Sequence, residues 1–332
     1  MEEAFLSEGD KLRGQGGGEY VISSGVPIGR ARSDLCVSQD AYSGEVVASG
    51  MPVVIKVIDR MAIERHHPDD IEKLTRGLNT ARQLRHPNLV HLLDVAFDDA
   101  RAMQIVEWAG SGGTLADLIS YGGPLPEQRA RGMFGQILSA VSYCHSRQVY
   151  HEDLTLEEVW IVSPGSDTLK IHGFGHSRMR TGVEDVYACN VNRSKVRHGT
   201  VCYLSPGAAS MPKREDRVHQ EAVDIWVLGV MLYVLVCSTY PFGFDGPKRL
   251  GGITPPKVYA NIMRGAEAVQ FPDSMSPELV ELLRGTAPKR FRRSRSACFV
   301  HVGFADAMCG SSPWSMCRLN ACRHIYTSSI RA

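Results

Sequence analysis

The sequence has no apolar run long enough to cross a membrane and no excess of charge of one sign. Its longest apolar stretch, Ile225–Cys237, falls short of the roughly 20 residues that a membrane-spanning helix needs, and it follows Asp224 directly, so we expect a buried helix there. The 37 basic and 36 acidic residues leave a net charge of +1. This balance argues against nucleic-acid and membrane partners, and we expect the basic run 289–295 to be a solvated surface segment.

An apparent secretory signal and a disulfide framework are also lacking. Residues 1–11 are acidic and contain no apolar core segment of the kind that a signal peptide carries. Without extracellular context, the nine cysteines are expected to be free thiols. We therefore expect a reducing compartment, the cytosol or the nucleus.

The chain of 332 residues is long enough for one large domain or two lobes. Residues 1–18 are polar and end in three glycines, which predicts a flexible leader. Short runs of strand character follow at 20–23, 36–39, 53–58, 90–95 and 103–108. Apolar residues recur at helical spacing between the third and fourth runs, at Ile71, Leu74, Leu78, Ala81 and Leu84. Beyond residue 113 the pattern becomes mainly helical, and residues 296–332 have no clear period, which predicts an irregular tail.

Eight short motifs follow one another in an order that chance does not explain. They are Val53-Val54-Ile55-Lys56, His86-Pro87-Asn88-Leu89, Val106-Glu107-Trp108-Ala109, His151-Glu152-Asp153-Leu154, Gly173-Phe174-Gly175, Gly199-Thr200-Val201-Cys202-Tyr203, Ser205-Pro206-Gly207, and Asp224-Ile225-Trp226 through Tyr240-Pro241-Phe242. Over about residues 19–292 the chain thus resembles the eukaryotic protein kinase family, and within it the Ser/Thr kinases of the calcium/calmodulin-dependent and plant SNF-related type.

The resemblance implies an α+β, bilobal protein-kinase fold. Residues 19–108 would form a small, β-rich N-lobe with one main helix, and residues 109–295 a larger, mainly helical C-lobe. In this family ATP supplies the transferred phosphoryl group and Mg²⁺ neutralises its charge. The resemblance also implies a protein substrate or another protein as the partner.

The triplet Gly173-Phe174-Gly175 is the most informative departure from the family. It stands where the family carries Asp-Phe-Gly, whose aspartate holds the magnesium ion on the ATP phosphates. Glycine has no side chain and therefore cannot bind a metal in this way. We expect ATP and magnesium to be used weakly at most.

Other changes affect the residues that would hold the phosphates. Only Gly29 remains of the family's glycine-rich loop, which favours an ordinary β-hairpin turn over a working phosphate cover. Lys56 occupies the place of the lysine that pairs the α- and β-phosphates. The helix glutamate that usually pairs with this lysine is replaced by Gly77, so we expect Lys56 without that partner.

Three further positions correspond to the family's adenine site. Val54 replaces a small alanine and adds bulk above the ring, and Glu107 belongs to the motif expected to border the cofactor. Trp160 replaces the leucine beneath the ring. Either its indole fills or opens the cavity, or it points into the core below, and the sequence favours neither alternative.

The catalytic loop keeps one chemical residue and changes three. Asp153 occupies the place of the base, where catalysis and a structural hydrogen bond are equally supported. Glu152 replaces an arginine, and Thr155 replaces a lysine near the γ-phosphate. Glu158 replaces the metal-binding asparagine and could offer magnesium an oxygen ligand. The histidines that flank the altered triplet, His172 and His176, are expected to be satisfied or exposed rather than metal ligands.

These substitutions leave three hypotheses for the function. The favoured one is a pseudokinase that acts in signalling through protein contacts. The alternative is an active Ser/Thr kinase with Asp153 as base and Glu158 as metal ligand. A product without a selected role is the third, because the tail is irregular and the last helices look shortened.

Overall fold

The computed structural model describes residues 6–32, 38–59, 61, 64, 78–79, 81–98, 101–108, 110–151, 154–172, 178–179, 200–206, 220–243 and 255–286. The contacts divide the chain into two compact units. The first comprises Met1–Gly110 with Phe174–Met179, and the second comprises Ser111–Gly173 with Arg180–Ala332. A sheet dominates the first unit and helices dominate the second, in agreement with the predicted α+β class.

The first unit is built on a seven-stranded antiparallel sheet. Its strands are β1 (Lys11–Arg13), β2 (Glu19–Ile22), β3 (Gly29–Arg32), β4 (Ser38–Val46), β5 (Pro52–Asp59), β6 (Leu92–Phe97) and β7 (Arg101–Glu107). They run in the order β1-β2-β4-β5-β7-β6, and β3 also pairs with β4. On β5, the side chains of Val53, Ile55 and Val57 are buried on one face, and this alternation is the signature of a strand with one face on a core.

The prediction of a flexible leader at residues 1–18 is wrong for residues 6–18. Leu6 is only 2% exposed and packs in the same core as Tyr20, Ile22 and Tyr42. Strand β1 then pairs with β2, with Leu12 opposite Tyr20. The segment is ordered because it has an apolar side chain to bury and a sheet edge to pair with, and neither feature has a periodic signal in so short a sequence.

Helices and short strands make up the second unit. Its helices are α1 (Leu115–Gly122), α2 (Glu127–His145), α3 (Gln220–Cys237), α4 (Pro255–Arg264) and α5 (Pro277–Thr286). Among its described residues, 3₁₀ turns lie at Leu156–Glu158, Thr200–Tyr203 and Gly265–Ala268. The short strands are β8 (Val149–Tyr150), β9 (Val159–Ile161) and β10 (Leu169–Ile171), while β11 (Arg178–Met179) belongs to the first unit.

Local sequence explains where two of these helices begin. Thr114 caps α1, because its hydroxyl accepts the Asp117 N–H while the Asp117 carboxylate accepts the Thr114 N–H. Helix α5 starts with Pro277 in its first turn, where no backbone donor is missed, and the hydroxyl of Ser276 accepts the Leu279 N–H. The predicted last amphipathic helix from Pro277 is therefore confirmed.

The core of the second unit forms where α2 and α3 pack together. The buried helix predicted for Ile225–Cys237 is confirmed as part of α3, whose residues Leu228, Met231 and Leu232 are completely buried. Phe134 and Ile137 of α2 are equally buried. Among the described residues, no helix combines the length and the apolar character needed to cross a membrane.

Helix α3 approaches α5 closely at Gly229. A Cβ atom on Gly229 would lie 2.2 Å from Oγ1 of Thr286 and 2.6 Å from its Cβ. Gly132, within α2, offers a matched control, because a Cβ there would meet no atom within 4 Å. The two glycines thus separate the effect of helix propensity from that of packing.

We predict that Gly229→Ala destabilises the protein and that Gly132→Ala does not. Alanine improves helix propensity at both sites by about 1 kcal/mol, but overpacking at position 229 costs about 1–3 kcal/mol. Urea unfolding of the two variants measures the difference. A Gly229→Ala variant as stable as Gly132→Ala would contradict the close approach.

Candidate functional site

Two of the sequence-predicted cofactor residues lie in one row across the sheet of the first unit. Ala41 of β4 pairs with Gly29 of β3 on one side and with Lys56 of β5 on the other. Val54 lies two residues before Lys56, and both are half-buried on the face of β5 opposite its buried core residues. The structure therefore places Gly29 on β3 and both Val54 and Lys56 on β5, with β4 between these two strands.

Glu107, the other predicted cofactor residue of this unit, is the last residue of β7. It pairs with Val53 of β5, and its side chain is half-buried. Its N–H donates to the carbonyl oxygen of His91 at 3.0 Å. These contacts place Glu107 at the end of the strand that leads towards the second unit.

In the second unit, Trp160 lies in the middle of β9, on the strand face opposite the side chains of its two neighbours. Its neighbours Val159 and Ile161 are buried, whereas Trp160 is half-buried on the opposite face. Its indole stacks on the imidazole of His172, with the ring centroids 6.0 Å apart and the planes at 26°. Its Nε1 is buried and has no hydrogen-bond partner among the described residues. Trp160 therefore lies on the face of β9 opposite Val159 and Ile161, and both alternatives for its place relative to the adenine site stay predictions.

The Glu158 carboxylate contacts the imidazole of His172. Oε2 of Glu158 and Nδ1 of His172 are in close contact, and the His172 backbone N–H donates to the Glu158 carbonyl oxygen at 2.9 Å. The hairpin register explains this pairing: Val159 faces Ile171 across β9 and β10, so the next residues outward meet. The predicted metal ligand is thus engaged by a histidine that was expected to be satisfied or exposed.

The buried carboxylate of Asp224 in α3 is linked through His151 to the contact between Glu158 and His172. Its Oδ2 contacts Nε2 of His145 at 2.8 Å and accepts the N–H of His151 at 3.0 Å. The imidazole of His151 in turn contacts the carbonyl oxygen of His172 through Nε2 at 2.9 Å. One continuous set of contacts therefore runs from α3 through His151 to His172 and Glu158.

The environment of Asp224 favours its ionised form. Complete burial desolvates the carboxylate and by itself would raise its pKa. The hydrogen bonds with His145 and His151, together with their electrostatic attraction to the carboxylate, outweigh burial, so the pKa of Asp224 lies below its usual value. Burial raises the pKa of the Cys144 thiol to about 12, and the negative charge of Asp224 adds to this rise.

Two tyrosines, Tyr203 and Tyr240, connect two of the family-like motifs of the second unit. The hydroxyl of Tyr203 accepts the Leu156 N–H at 3.3 Å and lies 3.4 Å from the hydroxyl of Tyr240. Burial raises the pKa of Tyr203, and the neighbouring Tyr240 raises it further. Trp226 stacks on Phe242 with ring centroids 5.3 Å apart. The 3₁₀ turn that ends at Glu158 is therefore tied to the Gly199–Tyr203 motif.

Some predicted site residues lie outside the described residues. These are Asp153, Glu152, Gly77, His176 and the triplet Gly173-Phe174-Gly175. The role of Asp153 stays a prediction. In the part of the chain that the structure describes, no three His, Cys, Asp or Glu side chains group into a metal site.

Sequence reasoning missed the part played by two histidines. His145 was not singled out, although its ring both contacts Asp224 and packs on Tyr150 at 5.2 Å. His172 was weighed only against a metal site. His145 could have been found in the sequence, because it is a titratable residue at a position that continues the apolar face of α2.

We predict that Asp224→Asn lowers the stability at neutral pH by about 3 kcal/mol, because it removes one partner of a buried pair. Since the folded pKa of Asp224 is depressed, its stabilising contribution is present above the unfolded value near 3.8 and is lost as the pH falls through the folded value. Thermal melts from pH 7 to pH 3 should therefore show the gap between the two proteins closing in acid.

The matched control for this prediction is Asp167→Asn. Asp167 pairs with Arg129 at 2.9 Å, but its side chain is 51% exposed, so the loss should be under about 1 kcal/mol. A gap between wild type and Asp224→Asn that widens in acid would be at odds with the depressed pKa.

Comparison with known proteins identifies the family. A family model described as protein kinase domain matches residues 40–299 of this chain. The match includes Lys56, Glu107, Asp153, Glu158 and Trp160. Because it extends over more than half of the chain, the likeness concerns the fold as a whole rather than a short motif.

Plant kinases are among the similar proteins. CBL-interacting protein kinase 31 of Oryza sativa subsp. japonica is 37% identical over 195 residues, which are 58% of this chain and 40% of that protein. Serine/threonine-protein kinase SAPK4 of the same species is 35% identical over 189 residues, 57% of this chain and 49% of the relative. CBL-interacting serine/threonine-protein kinase 9 of Arabidopsis thaliana is 32% identical over 218 residues, 65% and 45% respectively. The chain spans less than half the length of these relatives.

The predicted family and fold class are both confirmed by these matches. The motif order, the sheet of the first unit and the helices of the second unit agree with the family model. This chain belongs to the eukaryotic protein kinase family, has its bilobal α+β fold, and is related to serine/threonine kinases of plants.

Proposed function

We propose that this chain is a pseudokinase-like Ser/Thr protein kinase domain that uses ATP and magnesium weakly and acts in signalling through protein contacts. The observation that carries the proposal is the contact between the Glu158 carboxylate and the His172 imidazole. This contact occupies Glu158, the predicted metal ligand, whereas Glu157 is the other carboxylate that the active-kinase alternative would use.

The donor set of this chain fits magnesium poorly. Mg²⁺ demands near-octahedral oxygen ligands and usually takes one or two carboxylates plus phosphate oxygens. Glu158 would have to leave His172 to offer an oxygen atom, and Gly173 has no side chain to offer one. Phosphoryl transfer rests on positioning and on neutralising charge, so a weak metal site lowers its rate steeply.

The residues of the predicted adenine and phosphate sites support the same conclusion. Trp160 is a bulky side chain stacked on His172, and Val54 is larger than the alanine of the family. Gly29 and Lys56 still share a row of the sheet, which favours a residual interaction with a nucleotide. We therefore propose weak nucleotide binding with little help from magnesium.

The partner we propose is another protein, as an interaction partner or as a substrate. The second unit retains its scaffold contacts, including the Asp224 pair and the Tyr203–Tyr240 contact. Several relatives are named for interaction with CBL, and a protein partner for this chain agrees with that kind of name. The cytosol or the nucleus is the compartment proposed.

An active Ser/Thr kinase is the second candidate. Lys56 and Asp153 are present, and Glu158 could ligate magnesium once it separates from His172. Asp153 would then accept the proton of the substrate hydroxyl. Retention of these two chemical residues is the observation that favours this alternative.

Nucleotide binding is the first test. We predict that ATP with magnesium raises the melting temperature of the wild type no more than ATP alone does. The double variant Glu158→Asn, Gly173→Asp restores the family's metal donors and should gain a magnesium-dependent rise. The control Glu158→Asn, Gly173→Ala frees His172 without supplying the aspartate and should not. A magnesium-dependent rise in the wild type would overturn the proposal.

Transfer of radiolabelled phosphate to a generic basic protein substrate is the second test. We predict no incorporation above background for the wild type with Mg²⁺ or Mn²⁺, because several interacting groups are changed at once. Incorporation that Asp153→Asn abolishes would establish the active-kinase alternative instead. Incorporation that survives Asp153→Asn would point to a contaminating kinase.

A further inference from the structure

A second buried carboxylate, Asp94 of β6, joins three separate segments of the first unit. Its side chain is only 3% exposed. Oδ1 accepts the N–H groups of Gly16 and Val95, both at 2.9 Å, and lies 3.5 Å from Nη2 of Arg82. Oδ2 accepts the hydroxyl of Tyr20 at 3.4 Å. Burial and the Asp94 charge together raise the pKa of Tyr20, which keeps the hydroxyl a donor.

The glycines of the N-terminal segment are required by this close approach. A Cβ atom on Gly14 would lie 2.0 Å from Oδ2 of Asp94, and one on Gly16 would lie 3.0 Å from both Asp94 and Nη2 of Arg82. Between them, the Gln15 N–H donates to the Val95 carbonyl oxygen at 2.8 Å. The glycine-rich sequence therefore docks the segment on β6 rather than providing a linker.

Arg82 belongs to a turn that ends a helical segment of this unit. Its N–H donates to the Leu78 carbonyl oxygen at 3.1 Å, and the Leu84 N–H donates to the Ala81 carbonyl oxygen at 3.2 Å. Leu78 is buried, while the side chain of Arg82 is 30% exposed and its Nη2 reaches Asp94. The same carboxylate thus holds both the N-terminal segment and this helix end.

We propose that residues 6–18 form a strap that is conformationally coupled, through Asp94, to the helix end marked by Leu78, Ala81, Arg82 and Leu84. If the strap leaves, water enters around the carboxylate and its attraction to Arg82 weakens. If Arg82 leaves, the buried carboxylate loses the opposite charge and holds the strap less tightly. Such coupling is reciprocal by thermodynamic necessity. A partner that captures or cleaves the strap would therefore loosen the helix end, and this inference does not depend on the proposed function.

Hydrogen exchange of the full-length chain, followed by mass spectrometry, tests the coupling from both ends. Gly14→Ala inserts a methyl group against Asp94 and should speed exchange in peptides covering residues 78–84 by about tenfold. Arg82→Gln removes the positive charge and should speed exchange in peptides covering residues 14–18 to a similar degree. Both variants should leave exchange in α2 unchanged.

Asp98→Asn is the matched control. Asp98 pairs with Arg101 at 2.6 Å near the end of the same strand but contacts neither the strap nor Arg82 in any described interaction. Unchanged exchange at both ends in this variant supports the role of Asp94, and faster exchange at both ends would overturn it. If Gly14→Ala unfolds the whole unit, the test of the coupling rests on hydrogen exchange in Arg82→Gln. Normal protection of residues 14–18 in Arg82→Gln would refute the coupling.

Discussion

The buried carboxylate of Asp224 is the interaction on which the arrangement of the second unit depends. It joins α3 to the end of α2 through His145 and to the following loop through the His151 N–H. A buried charge is tolerated only where it is paired and hydrogen-bonded, and Asp224 has both kinds of partner. From there, His151 holds the His172 carbonyl group, and His172 meets Glu158. The candidate site is thus positioned from the core outward.

The second unit keeps contacts that position the candidate site but has lost residues that would bind a metal ion. Described contacts hold the loop at His151 and at Leu156, whereas the groups that would bind a metal are changed relative to the family. His172 brings an imidazole to the Glu158 carboxylate, and Trp160 covers that imidazole with its ring. A protein that keeps its shape while losing charge-neutralising groups is suited to presenting a surface, which is the physical basis of the proposed pseudokinase role.

Much of the fold could be predicted from the sequence, because long apolar patterns and ordered motifs are strong signals. The helix around Ile225–Cys237 and the helix that begins at Pro277 were both predicted and both are present. The order at residues 6–18 was not predicted. A run of glycines has the same sequence whether it is flexible or docked, and the position of Asp94 shows that Gly14 and Gly16 are docked. A lone aspartate within the apolar strand β6 was the available signal.

The contact between Glu158 and His172 could not be predicted because the sequence does not reveal how the two strands of the hairpin pair. Their contact follows from the register of the β9–β10 hairpin, and a shift of one residue would separate them. The position of Trp160 has the same origin, since strand alternation decides which face it takes. The sequence motifs identified which residues are changed relative to the family. The register of the β9–β10 hairpin determines what Glu158, Trp160 and His172 contact.

The most direct test of the account is a crystal structure grown with ATP and a large excess of magnesium. The account predicts that Glu158 remains on His172 and that no divalent cation binds to the Glu158 carboxylate. An ordered magnesium ion bridging Glu158 and the nucleotide phosphates, with the imidazole of His172 displaced, would contradict it.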